Sequence, residues 1–286
     1  MKLSQPHAVE EFPVPLRTLG AILIEAGRLS PAQAVLVMQL QKQQGLRFGD
    51  AACQLGILQA EDIRFGLSLQ FEHSSLASGD ASVASEVMAA FGSQHPLVEG
   101  LRDLRSQVML RWTAQPARPK SLALVSARRG EGKSFIAANL AVLFSQLGLR
   151  TLLIDADLMH PRQHDLFRLD NRVGLSSVLG GLTGLQAAVS LEKLPGLVLL
   201  PAGPTAPNPR ELLSRPLLPS LLSQAIQAFD VVLVDTPSAA LPDALMIASN
   251  VGASILVSRP NAATVAQSAA LAGSLDNLFG AVVNEF

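Results

Sequence analysis

The run Ser121-Leu122-Ala123-Leu124-Val125-Ser126 leads into Ala127-Arg128-Arg129-Gly130-Glu131-Gly132-Lys133-Ser134, and a helix-compatible stretch follows. A strand, a glycine-bearing turn and a helix, in that order, are what a phosphate cradle requires. Glycine lets backbone N–H groups turn toward an anion where a side chain would block the approach. The helix behind the turn adds its positive N-terminal end. In such a P-loop, Lys133 bridges the β- and γ-phosphate oxygens and the Ser134 hydroxyl joins a Mg2+ shell. Ala127 stands where the first glycine of the usual pattern falls. The nucleotide, ATP with Mg2+, is therefore expected against Arg129, Gly130, Glu131, Gly132, Lys133, Ser134 and Phe135, together with Asn284 near the chain's end. The plainer alternative is a turn that merely joins a strand to a helix.

Two acidic strand ends argue against that alternative. They are Leu152-Leu153-Ile154-Asp155-Ala156-Asp157 and Val231-Val232-Leu233-Val234-Asp235-Thr236-Pro237. Each sets a carboxylate at the C-terminal tip of a strand, the edge where open α/β sheets bind ligands. Asp235 suits the metal shell as the Walker B residue. Asp155 and Asp157 point to opposite sides if the strand persists, or flank the site if it has ended. Any one of the three alone reads as a turn or capping aspartate. Taken together they favour metal binding and proton abstraction.

The elements that must carry these groups follow from hydrophobic spacing. Strands are expected at 122–125, 151–154, 198–200, 231–234, 254–257 and 281–283, alternating with amphipathic stretches at 134–147, 217–228 and 262–277. That alternation predicts a doubly wound, mostly parallel α/β sheet. Ahead of it, apolar positions at three- and four-residue spacing predict a small helical N-terminal domain over residues 1–73. The small, polar stretch from Ser74 predicts a flexible linker over 74–93, and 94–286 forms the P-loop domain, with helix from Glu86 broken at His95-Pro96.

Composition sets the outer bounds. The 286 residues leave room for two domains; 49% are apolar and 16% charged, which excludes general disorder. A net charge of −1 provides no overall basic field for nucleic acid or anionic lipid. The single cysteine, Cys53, suits a reducing compartment. No apolar run reaches the roughly 20 residues of a membrane span, and no signal-peptide core opens the sequence, so a cytoplasmic location is expected. There is no tyrosine at all.

From about Glu99 to Phe286 the chain resembles the bacterial tyrosine kinases of polysaccharide export, P-loop proteins of the MinD/ParA-like group. The resemblance rests on residues 130–134, 152–157 with Pro161, Gly174-Leu175-Ser176, Pro207-Asn208-Pro209 with Glu211-Leu212-Leu213, 234–237 and Asp243. It implies that Asp155 accepts the proton of an attacking tyrosine hydroxyl. It also implies that Lys133 stabilises the transferring phosphoryl group, while Asp157, Asp235 and Ser134 hold Mg2+. Glu99, Arg102 and Arg105 fit the family's ring-forming helix motif, and their three-residue spacing shares one helical face; an ordinary exposed charged face is the alternative. The implied partner is an inner-membrane chain-length determinant, with the kinase a peripheral, membrane-associated protein only through it. Met159 replaces an arginine usual after the second acidic motif, and Arg128-Arg129 is unusual in the loop. Lacking tyrosine, the chain cannot be its own tyrosine acceptor. This narrows the resemblance to chain-length-determinant kinases of the EpsG type. A MinD/ParA-like ATPase switch without kinase activity is the competing reading.

The first seventy residues repeat. An offset of 29 relates Leu19-Gly20 to Phe48-Gly49, Gly27 to Gly56, Leu29 to Leu58, Gln33 to Asp62, and Gln41 to Gln70. The unit resembles the N-terminal domain of type II secretion and pilus-assembly ATPases (MshEN type). That resemblance implies cyclic di-GMP binding through Arg47, Gln41 and Gln70. The alternative is a pure docking domain.

Overall fold

In the computed structural model the described residues are 18–63, 66, 76–77, 79–92, 95–239 and 242–285. Gln70 lies outside them.

Four runs rich in Leu, Val and Ile form fully buried strands: β1 (Ser121–Val125), β2 (Thr151–Asp155), β4 (Leu197–Leu200) and β5 (Val231–Asp235). They lack hydrophobic-polar alternation because helices cover both faces of the sheet. With β3 (Val189–Ser190), β6 (Ala253–Ser258) and β7 (Leu278–Val283) they make one seven-stranded sheet in the order β3-β4-β2-β5-β1-β6-β7. Every pairing is parallel except β3 with β4. All six expected strands are present. β3 was not foreseen, because two residues are too short to show a pattern.

Two apolar cores flank the sheet. The first is filled by the helix Lys133–Ser145, whose residues from Ile136 onward are buried all round. Such a helix has no polar face because it sits between the sheet and the helix Pro96–Ala114. The latter starts where the sequence indicated, with His95 as N-cap and Pro96 at its first turn.

Two expectations need correction. No α-helix runs from Glu86; a single 3-10 turn, Met88–Phe91, stands there. Nor is residues 79–92 a free linker. Val83, Ala84, Val87, Ala89 and Ala90 are buried in the same core as Trp112, Leu140 and Phe144. The buried Asn139 amide pins this strap, accepting from Ala89 N at 2.8 Å and donating to the Glu86 carbonyl at 2.9 Å. Ala84 N donates to the Leu166 carbonyl at 2.8 Å. Small residues read as flexible by composition, yet they are what allows a strap to lie close on a helix. The nucleotide domain thus begins before residue 94.

The N-terminal repeat is realised as Leu19–Glu25, Pro31–Gln44 and Phe48–Gln54, packed around Leu23, Leu29, Val37, Ala51 and Leu58. The two short helices are the repeated element, each followed by a glycine of positive φ, Gly27 and Gly56. A Cβ at Gly20 would press on the Phe48 ring at 2.9 Å, so this glycine permits the close approach of the two copies. Among the described residues no helix is long and apolar enough to cross a membrane.

Candidate active site

β1 ends at Val125, and the chain turns through Gly130 (φ 85°) and Gly132 (φ 98°) into the helix Lys133–Ser145. Those angles are costly for residues with a Cβ. The loop is braced from inside. Glu131 is fully buried, and its carboxylate accepts Arg128 N at 2.6 Å and Arg259 N at 3.4 Å. Asn284 donates to the Glu131 carbonyl at 3.0 Å and sits where a Cβ on Gly132 would go. Glu131 and Asn284 therefore act as scaffolding of the loop, in addition to any contact with the nucleotide. Gly132→Ala combines strained backbone with overlap on the Asn284 amide. It is expected to lower stability by about 1–3 kcal/mol, read as a lower thermal midpoint; an unchanged midpoint would contradict this packing.

Lys133 is 7% exposed, and its Nζ donates to Ser126 Oγ at 2.8 Å. Burial pulls the ammonium below its usual range, opposed by the charges of Asp235, Asp157 and Glu131. A buried ammonium is already stripped of most of its water, so an anion arriving at the loop meets a cation with little left to desolvate.

The acidic strand tips lie side by side, because β2 and β5 are neighbours and Asp155 is in register with Asp235. Both are buried. Asp155 accepts three backbone amides: Asp157 N at 3.2 Å on Oδ1, then Arg162 N at 3.0 Å and Gln163 N at 2.9 Å on Oδ2. Burial and then the Asp235 charge push it well above the carboxylate range. Burial also raises Asp235, against the Gln163 hydrogen bond on Oδ2, the nearby Ser134 hydroxyl dipole and the Lys133 charge. Asp157 lies beyond the strand and keeps 16% of its side chain exposed, with Oδ1 accepting His160 N at 3.0 Å.

Two adjacent buried carboxylates are expensive unless a cation joins them. Asp235 Oδ1 is buried with no partner at hydrogen-bonding distance. Beside the Ser134 hydroxyl, that open oxygen fits a hard divalent ion bound through one or two protein oxygens and water. The donor set therefore suits Mg2+.

Three further expectations can be placed. The Phe135 side chain packs on the core, so only its backbone faces the loop. Arg102 pairs with Glu99 on its own helix, and the Arg105 guanidinium donates to the Leu143 carbonyl at 2.9 Å rather than projecting freely. Arg47 is the exposed N-cap residue of Phe48–Gln54, and Gln41 is half-buried in the preceding helix. Gln163 and Ser126 escaped the sequence reading. Neither belongs to a recognisable motif, and only the fold brings them to the lysine and the acids.

Residues 122–286 match the CobQ/CobB/MinD/ParA nucleotide binding domain. Tyrosine-protein kinase YwqD of Bacillus subtilis is 42% identical over 170 residues, which are 58% of this chain and 72% of that protein. Several longer tyrosine-protein kinases are spanned over about a quarter of their length. Among solved structures, the kinase domain of Escherichia coli tyrosine kinase ETK superposes with a TM-score of 0.61 at 33% identity, covering 65% of this chain and 74% of that one. The chimerical protein CapA2B2 superposes at 0.65 and 29%, covering 77% and 98%.

Proposed function

Because the chain belongs to the CobQ/CobB/MinD/ParA nucleotide-binding family and, within it, to the bacterial tyrosine-protein kinases, we propose that it transfers the γ-phosphoryl group of ATP to tyrosines of another protein in exopolysaccharide production. Through that transfer it would regulate polymerisation, chain length and export. The observation that carries this reading is the buried Lys133 opening the P-loop helix, with Gln163 bonding both Ser134 of that helix and Asp235, which stands in register with Asp155 at the sheet's C-terminal edge. Phosphoryl transfer needs little covalent help from a protein; positioning and charge neutralisation supply most of the rate. Bound at Ser134 and Asp235, with Asp157 near, Mg2+ would neutralise charge on the phosphate oxygens.

Around it the protein's own groups divide the work. The backbone amides of 129–135 orient the phosphates, and Lys133 follows the charge that develops on the moving group. Asp155 takes the phenolic proton. A tyrosine hydroxyl loses its proton near pH 10, so a carboxylate raised by burial is a better acceptor than an ordinary one. In the present arrangement Asp155 is covered by residues 156–163, and that loop must shift to admit the hydroxyl.

The acceptor is a membrane-embedded chain-length determinant whose cytoplasmic tail reaches the site, which makes this kinase cytoplasmic and peripheral at the inner membrane. Subunits assemble in a ring through the helix carrying Glu99, Arg102 and Arg105, once Arg102 exchanges its internal pairing for a neighbour's carboxylate. Cyclic di-GMP at Arg47, Gln41 and Gln70 is the regulatory ligand proposed for the N-terminal repeat. To test the catalytic reading, the purified chain is incubated with γ-labelled ATP, Mg2+ and the tail of the chain-length determinant. Phosphotyrosine on the tail and none on the kinase is the expected result. Phosphate release without phosphotyrosine would overturn it in favour of an ATPase switch.

A further inference from the structure

We propose that Gln163 is a positioning residue for the metal-binding end of the site, holding Asp235 so that one carboxylate oxygen stays open. The inference rests on the MgATP reading above.

Gln163 opens the four-residue helix Gln163–Leu166 and is fully buried. Its backbone N–H donates to Asp155 Oδ2 at 2.9 Å. Its side-chain Nε2 donates to Asp235 Oδ2 at 2.8 Å and to the Ser134 carbonyl at 3.1 Å. One residue thereby touches the P-loop helix and both acidic strand tips. Both amide protons are used, and this fixes the amide's orientation. Turned over, Oε1 would face a carboxylate and a carbonyl, acceptor against acceptor.

Tying down Asp235 Oδ2 has a consequence for its other oxygen. Oδ1 and Gln163 Oε1 are both buried and both lack a partner at hydrogen-bonding distance. Two unpaired acceptors in a dry site are unfavourable by themselves. They suit a hydrated divalent ion, which needs a carboxylate oxygen and acceptors for the protons of its waters. Groups that orient ligating carboxylates typically control metal affinity by about 10–100-fold. Glutamine does this here without adding charge beside two buried acids.

The test uses the full chain with Gln163→Met, which keeps the volume and removes the amide, and Gln163→Asn, whose amide is one methylene short. ATP binding is titrated first in EDTA and then against increasing Mg2+. The expected result is metal-free ATP affinity equal to wild type, with the Mg2+ concentration for half-maximal enhancement raised about tenfold in both variants. A folded variant with wild-type Mg2+ dependence would overturn the proposal, as would an equal loss of affinity with and without metal. Should Gln163→Met fail to fold, Gln163→Asn decides; if neither folds, the residue is core packing and the proposal fails. Wild-type protein that binds ATP without Mg2+ enhancement would remove the metal site from the MgATP reading, and this inference with it.

Discussion

Lys133→Ala is expected to lower phosphoryl transfer by about 10²–10³-fold, the usual effect of deleting a preorganised donor aimed at developing charge. ATP binding should weaken with it, because the ammonium meets the phosphates in the ground state as well. The size of the effect comes from burial. An exposed lysine already spends its charge on water, whereas Lys133 is 7% exposed and held by the Ser126 hydroxyl at 2.8 Å. Alanine removes the buried cation that offsets Asp235, Asp157 and Glu131, so the cradle becomes less favourable toward a polyphosphate. The fold should survive, since Ser126 keeps its bond to the Arg128 carbonyl at 2.7 Å and Gly130 and Gly132 retain their angles. Labelled-ATP transfer and equilibrium titration on the same preparation measure both losses. Transfer at the wild-type rate would show that Lys133 is only a packed side chain.

Asp155→Asn is expected to reduce tyrosine phosphorylation by about 10²–10⁴-fold, the range of a lost general base. ATP affinity should fall far less. The substitution also carries a local penalty. Asp155 accepts amides on both oxygens, and asparagine must turn an N–H toward one of them, donor against donor. The loop 156–163 should loosen as a result. Two readouts separate these effects: transfer to the tail reports the base, and thermal unfolding reports the loop. Wild-type transfer in a folded Asp155→Asn protein would move proton abstraction to another group. Asp157, the partly open neighbour, would be the next to test.

The strands and the P-loop were legible because their signals are local. Leu152–Asp155 and Val231–Asp235 are unbroken apolar runs ending in an acid, and Gly-Glu-Gly-Lys-Ser names its own backbone requirement. That the two acids become neighbours was not legible. It follows from strand order, with β5 inserted between β1 and β2. Gln163 was hidden for the same reason, since its partners lie 29 and 72 positions away and no spacing rule joins them. The strap at 79–92 was misread because alanine, serine and glycine have the same composition in a linker as in a tight packing contact. Arg105 fits the ring motif through resemblance and helical spacing, and neither signal carries the bond its guanidinium makes to the Leu143 carbonyl on the adjoining helix.

A calorimetric titration of ATP into the wild-type chain, with and without Mg2+, tests most directly whether Lys133 and the paired strand tips form a metal–nucleotide site. One nucleotide per chain, bound more tightly when Mg2+ is present and lost in Lys133→Ala, is the predicted result. Affinity indifferent to both the ion and the lysine would contradict the account.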